Sequence, residues 1–271
     1  MSSRPELAAR RRALGHSQES LARLLDVRAQ SVARWEQGTS TPLARYRRPL
    51  AESLELTLPQ LEALIESGET PSGLNGHALP PWMDHYTSLE QGAAILRTFE
   101  PIAVPGLLQT EAYAMAVMAA THLPVDGQAI ADRVRVRMAR QAVLDRRPEP
   151  LELICVVDES VLHRITGSRS VMADQLGHLT AMASRPTIRL QIVSRDSSVL
   201  HSAAFGSFRL FTSSGATEPF MACTEDLTGF NYLDRRHAIE AHAELFDHLT
   251  SVALSPGDSV ELIGTTALAY R

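Results

Sequence analysis

The chain has 271 residues, 44% of them hydrophobic, and a net charge of −5. It is too long for one small reader domain, long enough for two domains, and apolar enough for a packed core rather than a disordered tail. Its two cysteines, Cys155 and Cys223, come with no Cys-x-x-Cys or His-Glu-x-x-His spacing, so buried free thiols are expected and no metal or cofactor.

The start, Met-Ser-Ser-Arg-Pro-Glu, is not a signal-peptide pattern, and the small-apolar run Ala112–Ala120 falls far short of the roughly 20 residues that span a bilayer. A cytoplasmic protein without membrane contact is the expectation. The charge is uneven. Residues 1–50 hold ten Arg against four acids, a balance of +6, which leaves −11 on the remaining 221 residues. A basic head on an acidic body suits a DNA-contacting module joined to one that does not touch DNA. All 26 basic residues are Arg.

The spacing predicts a first helix over Pro5–Leu14, closed by Gly15, with Arg10–Arg12 solvated. Ser17 caps a second helix whose apolar face is Leu21, Ala22, Leu24 and Leu25. Asp26 fits a left-handed turn position. A third helix runs from about Arg28 to Gly38, with Val32 and Trp35 turned inward beside Val27. Its opposite face carries Ala29, Gln30, Ala33 and Arg34. Gln30 and Arg34 stand four apart and project side by side. Glutamine can pair with adenine and arginine with guanine O6 and N7, so two helices carrying this face describe a helix-turn-helix reader. Thr41-Pro42 opens a fourth helix, and Thr57–Gln60 is a capping box for a fifth that buries Leu61, Leu64 and Ile65.

Ser67–Pro81, rich in Gly and Pro, reads as a linker. Beyond it, Trp82–Thr98 has helical spacing, Ile102–Val104 reads as a short extended piece, and Pro105-Gly106 suits a type II turn. Helices follow at Thr110–Ala120 and Asp126–Asp145. Leu151–Val157 is an apolar run of strand length. Met172–Ala183 is helical, and Thr187–Val193, Phe205–Phe211 and Pro219–Thr224 read as strands. Asp234–Leu254 is a long amphipathic helix, expected together with the rest of the second domain to form a dimer surface, and Pro256–Ala269 is the last helix. The fold class expected is an all-α five-helix helix-turn-helix domain (1–66), the linker (67–81), and a mixed α/β (α+β) domain with a small sheet (82–271).

Two sets of residues form a recognisable pattern. Residues 5–66 resemble XRE-type, lambda-repressor-like helix-turn-helix domains through Ser17-Gln-Glu-x-Leu-Ala, Val27, Val32-x-x-Trp35-Glu36-x-Gly38 and Pro42. Residues 82–270 resemble the domain of unknown function that follows such readers in many actinobacterial regulators. The strings there include Phe99-Glu-Pro, Val104-Pro-Gly-Leu-Leu-Gln-Thr-Glu, Arg137-x-x-Arg140-Gln, Asp158-Glu and Phe246-Asp-x-Leu. The resemblance implies a transcriptional regulator, often encoded beside a small companion protein and likened to an antitoxin, with no catalytic residues. It also implies that Gln18 touches or positions a phosphate. Two departures stand out: the usual Ser or Thr cap of the reading helix is Arg28, and alanines occupy two of four reading positions.

The expected DNA-binding residues are therefore Gln18, Arg28, Ala29, Gln30, Ala33, Arg34 and Arg45, the last gripping a phosphate. The expected partner is double-stranded DNA bound by a homodimer. The second domain is expected either to bind the companion protein or to sense a small-molecule effector near Tyr113, Arg133, Arg137 and Arg140. His201 and Asp158-Glu159 invite a hydrolase reading, but no Gly-x-Ser-x-Gly elbow or phosphate loop accompanies them, so a non-enzyme is expected.

Overall fold

The computed structural model describes residues 4–66, 81–120, 126–197, 206–226 and 229–271. Most of the expected linker and His201 lie outside the described residues.

Five helices form the N-terminal unit: α1 (Pro5–Ala13), α2 (Gln18–Leu24), α3 (Ala29–Glu36), α4 (Ala44–Ser53) and α5 (Leu58–Glu66). The local signals explain most boundaries. The Ser17 hydroxyl accepts from Ser20 N at 3.0 Å, and Asp26 takes the left-handed turn with φ 52°. Thr57 and Gln60 cap each other, with Thr57 N donating to Gln60 Oε1 at 2.8 Å. Leu21, Ala22, Leu25, Val27, Val32 and Trp35 share one core with Leu50, Leu54 and Leu61. Two expectations need correction. Leu24 is 61% exposed and outside that core. α4 begins at Ala44, not Thr41-Pro42, because the Thr41 hydroxyl accepts from Arg4 instead of capping a helix.

The second unit holds α6 (Pro81–Gly92), β1 (Ile95–Glu100), α7 (Glu111–Ala119), α8 (Gly127–Arg140), β2 (Glu152–Asp158), α9 (Ser160–His163), α10 (Arg169–Ala183), β3 (Ile188–Val193), β4 (Phe208–Thr212), β5 (Met221–Asp226), β6 (Gly229–Leu233), α11 (Arg236–Val252) and α12 (Pro256–Ala269). The strands form one mixed sheet in the order β3-β2-β1-β4-β5-β6. β1, β2 and β3 run parallel, while β4 is antiparallel to β1 and continues into an antiparallel β4-β5-β6 edge. This is the α+β class expected.

Alternation along each strand divides the core into two layers. Leu153, Cys155, Leu190 and Phe211 face α6, α10 and α12. Phe99, Val156, Phe208 and Leu210 face the Ile239–Phe246–Leu249 stripe of α11. That stripe is core, so the apolar face expected to pair two chains is already covered by the sheet. Both cysteines are buried free thiols.

Three further expectations change. The helix read through Thr98 stops at Gly92, and Ile95–Glu100 is a strand held by β2 and β4 on either side. Pro105-Gly106 starts a 3-10 turn, Gly106–Leu108, rather than a type II turn. β6 (Gly229–Leu233) lies outside every strand the spacing predicts.

Candidate nucleic-acid interface

α3 owes its position to a buried charge network at its C-terminal end. Arg11 of α1 grips Glu36 with Nε 2.5 Å from Oε1 and Nη2 3.0 Å from Oε2. Gln18 Nε2 donates to the same carboxylate at 2.7 Å. Sequence reading leaves Arg11 solvated, yet it is buried; a paired arginine can be buried where a lone one cannot. Gln18, the expected phosphate contact, thus sits at the start of α2 with its amide fixed to α3.

The expected reading face does not look out to solvent. Arg34 is 4% exposed. Its guanidinium lies over the Phe220 ring, 3.8 Å from the centroid. Its Nη1 donates to the Ser213 hydroxyl at 3.2 Å and the Gly92 carbonyl at 3.4 Å. Gly92 permits this approach, since a Cβ there would stand 2.9 Å from Arg34 Nη2. Ala29 and Gln30 line a crevice of about 710 Å³ whose far wall is Gly215–Glu218 with Arg236. Ala33 is half-buried.

The flanking arginines meet carboxylates of the second unit. Arg28 Nη1 is 2.5 Å from Glu218 Oε2, and its Nη2 is 3.6 Å from Glu240. Arg45 of α4 pairs with Asp234 and donates to the Tyr232 carbonyl at 3.1 Å. Tyr46 donates to the same Asp234, which is 1% exposed. Burial, then that carboxylate, pushes the Tyr46 hydroxyl pKa up. The acidic body thus presents carboxylates to arginines expected on phosphate and base edges.

Arg34 differs from its neighbours in having no carboxylate within ion-pair distance among the described residues. Burial pushes its pKa down to about 10, and its Nε is buried without a hydrogen-bond partner. A desolvated, unpaired guanidinium is costly. Guanine O6 and N7 would satisfy it better than a ring face and three neutral oxygens, those of Ser213, Gly92 and Thr39, at 3.2 to 3.5 Å.

The residues expected around an effector separate. Arg137 and Arg140 line a cavity of about 320 Å³ against the sheet. Arg133, on the same face of α8 but nearer its start, is exposed and does not line that cavity. Tyr113 is in the core, its hydroxyl accepting from Val104 N at 3.3 Å. Asp158 and Glu159 have structural partners: Asp158 accepts from Ser160 N, and Glu159 from Ser194 Oγ and Arg195 N.

Residues 83–265, more than half the chain, match the family model described as a domain of unknown function, DUF5753. The chain belongs to that family. Residues 7–61 match a helix-turn-helix family model, which makes this DUF5753 chain a DNA-binding regulator of the XRE type. Neither curated proteins nor solved structures give a significant match. Among the described residues no helix of the DUF5753 chain is long and apolar enough to cross a membrane. No group of three or more His, Cys, Asp or Glu is placed to hold a metal ion there.

The residues that meet the expected DNA-contacting arginines, Glu218 on Arg28, Phe220 on Arg34 and Asp234 on Arg45, cannot be found from the sequence alone. They lie 186 to 190 residues from those partners in the chain. The only signal for them is the opposite charge of the two parts.

Proposed function

We propose that the protein is a sequence-specific transcriptional regulator whose second domain masks its own reading helix. The reader is 1–66, a linker spans 67–81, and 82–271 is the controlling, non-enzymatic domain, all working in the cytoplasm. In the closed state Arg28, Arg34 and Arg45 are held by Glu218, Phe220 and Asp234. In the open state they are free for DNA: Gln30 and Arg34 take base edges, while Gln18 and Arg45 take phosphates. The observation that carries this reading is the burial of Arg34 over Phe220 without a carboxylate partner. That contact is weak enough for guanine to displace. One reader offers few base contacts, so two copies act on a repeated or palindromic site.

The test is selection of binding sites from random double-stranded DNA by the wild-type chain and by Glu218→Arg. Both should enrich the same sequence, and the variant should bind it more tightly. Enrichment of no sequence by either chain contradicts the proposal.

A second reading, docking of a small companion protein, draws on one edge of the second unit. Met115, Ile165 and Leu268 are exposed there at 38%, 56% and 63%. α7 and the turn after α9 meet closely at Ala116 and Gly167, and Arg169 donates to the Ala269 carbonyl.

A further inference from the structure

The 320 Å³ cavity is built on an unusually polar stretch of sheet face. In strand register Thr98 stands opposite Arg209, and Arg209 opposite Cys223. Glu100, two residues on from Thr98, accepts from Thr98 Oγ1 and Arg209 Nη2, both at 2.9 Å. Arg209 Nη1 lies 3.2 Å from Glu225. Above them α8 supplies Arg137 and Arg140. Arg140 forms a fork with Glu90, at 2.9 and 2.8 Å, and Glu90 is 1% exposed.

The three arginines and three glutamates balance in charge, but Arg209 takes two of the carboxylates, so among the described residues Arg137 has none within ion-pair distance. Among the described residues Arg137 Nη1 reaches only the neutral Gln109 Oε1, at 2.9 Å, and its buried Nε has no hydrogen-bond partner. Burial first, and Arg140 beside it, push its pKa down to about 10. Gly106 leaves the space in front of it open: a Cβ there would sit 3.9 Å from both Arg137 Nε and Arg140 Nη2. The remaining walls are apolar, with Leu96, Val117 and Leu153 on one side and Tyr86 stacked on Phe230 at 4.5 Å on another. A cavity of this size with apolar walls and a few convergent polar groups is the ordinary form of a small-molecule site.

We propose that this cavity binds a small organic carboxylate with an aromatic or apolar body, its carboxylate on Arg137 and its body against Tyr86 and Phe230. One unpaired guanidinium suits a single negative charge, and a planar carboxylate matches its fork. A phosphate dianion would carry a second charge toward Glu100 and Glu225. The site stands independently of how the reading helix behaves.

The test uses the full chain without DNA and two probes of one shape, benzoate and benzamide, measured by titration calorimetry. Benzoate should bind about tenfold more tightly than benzamide, the worth of one charge-assisted hydrogen-bond pair. Arg137→Met should remove that preference. Gly106→Ala, which adds only a methyl at a position free of backbone strain, should weaken both probes, and it keeps the test valid if the arginine variant melts early. Absence of benzoate binding at millimolar concentration, equal binding of the two probes, or an unchanged benzoate preference in Arg137→Met would each overturn the assignment.

Discussion

Arg34 and Phe220 lie face to face, the guanidinium carbon 3.8 Å from the ring centroid. One belongs to the helix that resembles a DNA reader, the other to the residue leading into β5. A cation over an aromatic face contributes about 0.5–2 kcal/mol. That is enough to hold a closed state and too little to compete with a bidentate base contact plus several phosphates.

Loosening the closed state should tighten DNA binding. Glu218→Arg replaces attraction with repulsion at Arg28. Gly92→Ala places a methyl 2.9 Å from Arg34 Nη2, so the guanidinium must move. Each variant should bind operator up to about fivefold more tightly at low salt in fluorescence anisotropy, the scale of one exposed ion pair or less. The gain for Glu218→Arg should shrink as salt rises.

Base reading and backbone gripping separate by their sequence dependence. Gln30→Ala and Arg34→Ala should each lose about 1–3 kcal/mol of discrimination at one base position. Arg45→Ala should weaken all sequences alike and reduce the slope of log affinity against log salt by about one. Sequence preference unchanged in both Gln30→Ala and Arg34→Ala would place the reading face elsewhere.

The N-terminal unit is legible because its determinants are local. Caps at Ser17 and Thr57, the left-handed Asp26 and the inward spacing of Val32 and Trp35 act within a few residues. The second unit is less so. Leu89, Ala93 and Leu96 keep helical spacing, yet Ile95–Glu100 is a strand because β2 and β4 pair with its two edges. β6 depends wholly on β5. Helical spacing puts Arg133, Arg137 and Arg140 on one face; Arg137 and Arg140 line the cavity, while Arg133 is exposed. It does not reveal that Arg34 is covered, since Gly92 and Ser213 lie 58 and 179 residues away.

The Arg11–Glu36 pair should matter to folding more than to DNA contact. Its two side chains are 7% and 6% exposed, so Glu36→Ala leaves a buried charge and frees Gln18. The cost should be about 3–5 kcal/mol, seen as early melting by circular dichroism. Little or no destabilisation would contradict the pairing.

α11 offers a contrast between core and interface. Phe246→Ala should cost about 3–5 kcal/mol through the cavity it leaves, with the association state in sedimentation unchanged. A dissociated but equally stable variant would make that stripe a dimer surface after all.

The central claim is that the reading helix rests on the second domain and leaves it to read DNA. Spin labels at the exposed Gln37 and Asp247, with the distance between them measured by pulsed electron resonance, test it most directly. The account predicts one short, narrow distribution in the free protein and a longer one when operator DNA is bound. The same short distance in both states, with the DNA demonstrably bound, would contradict it.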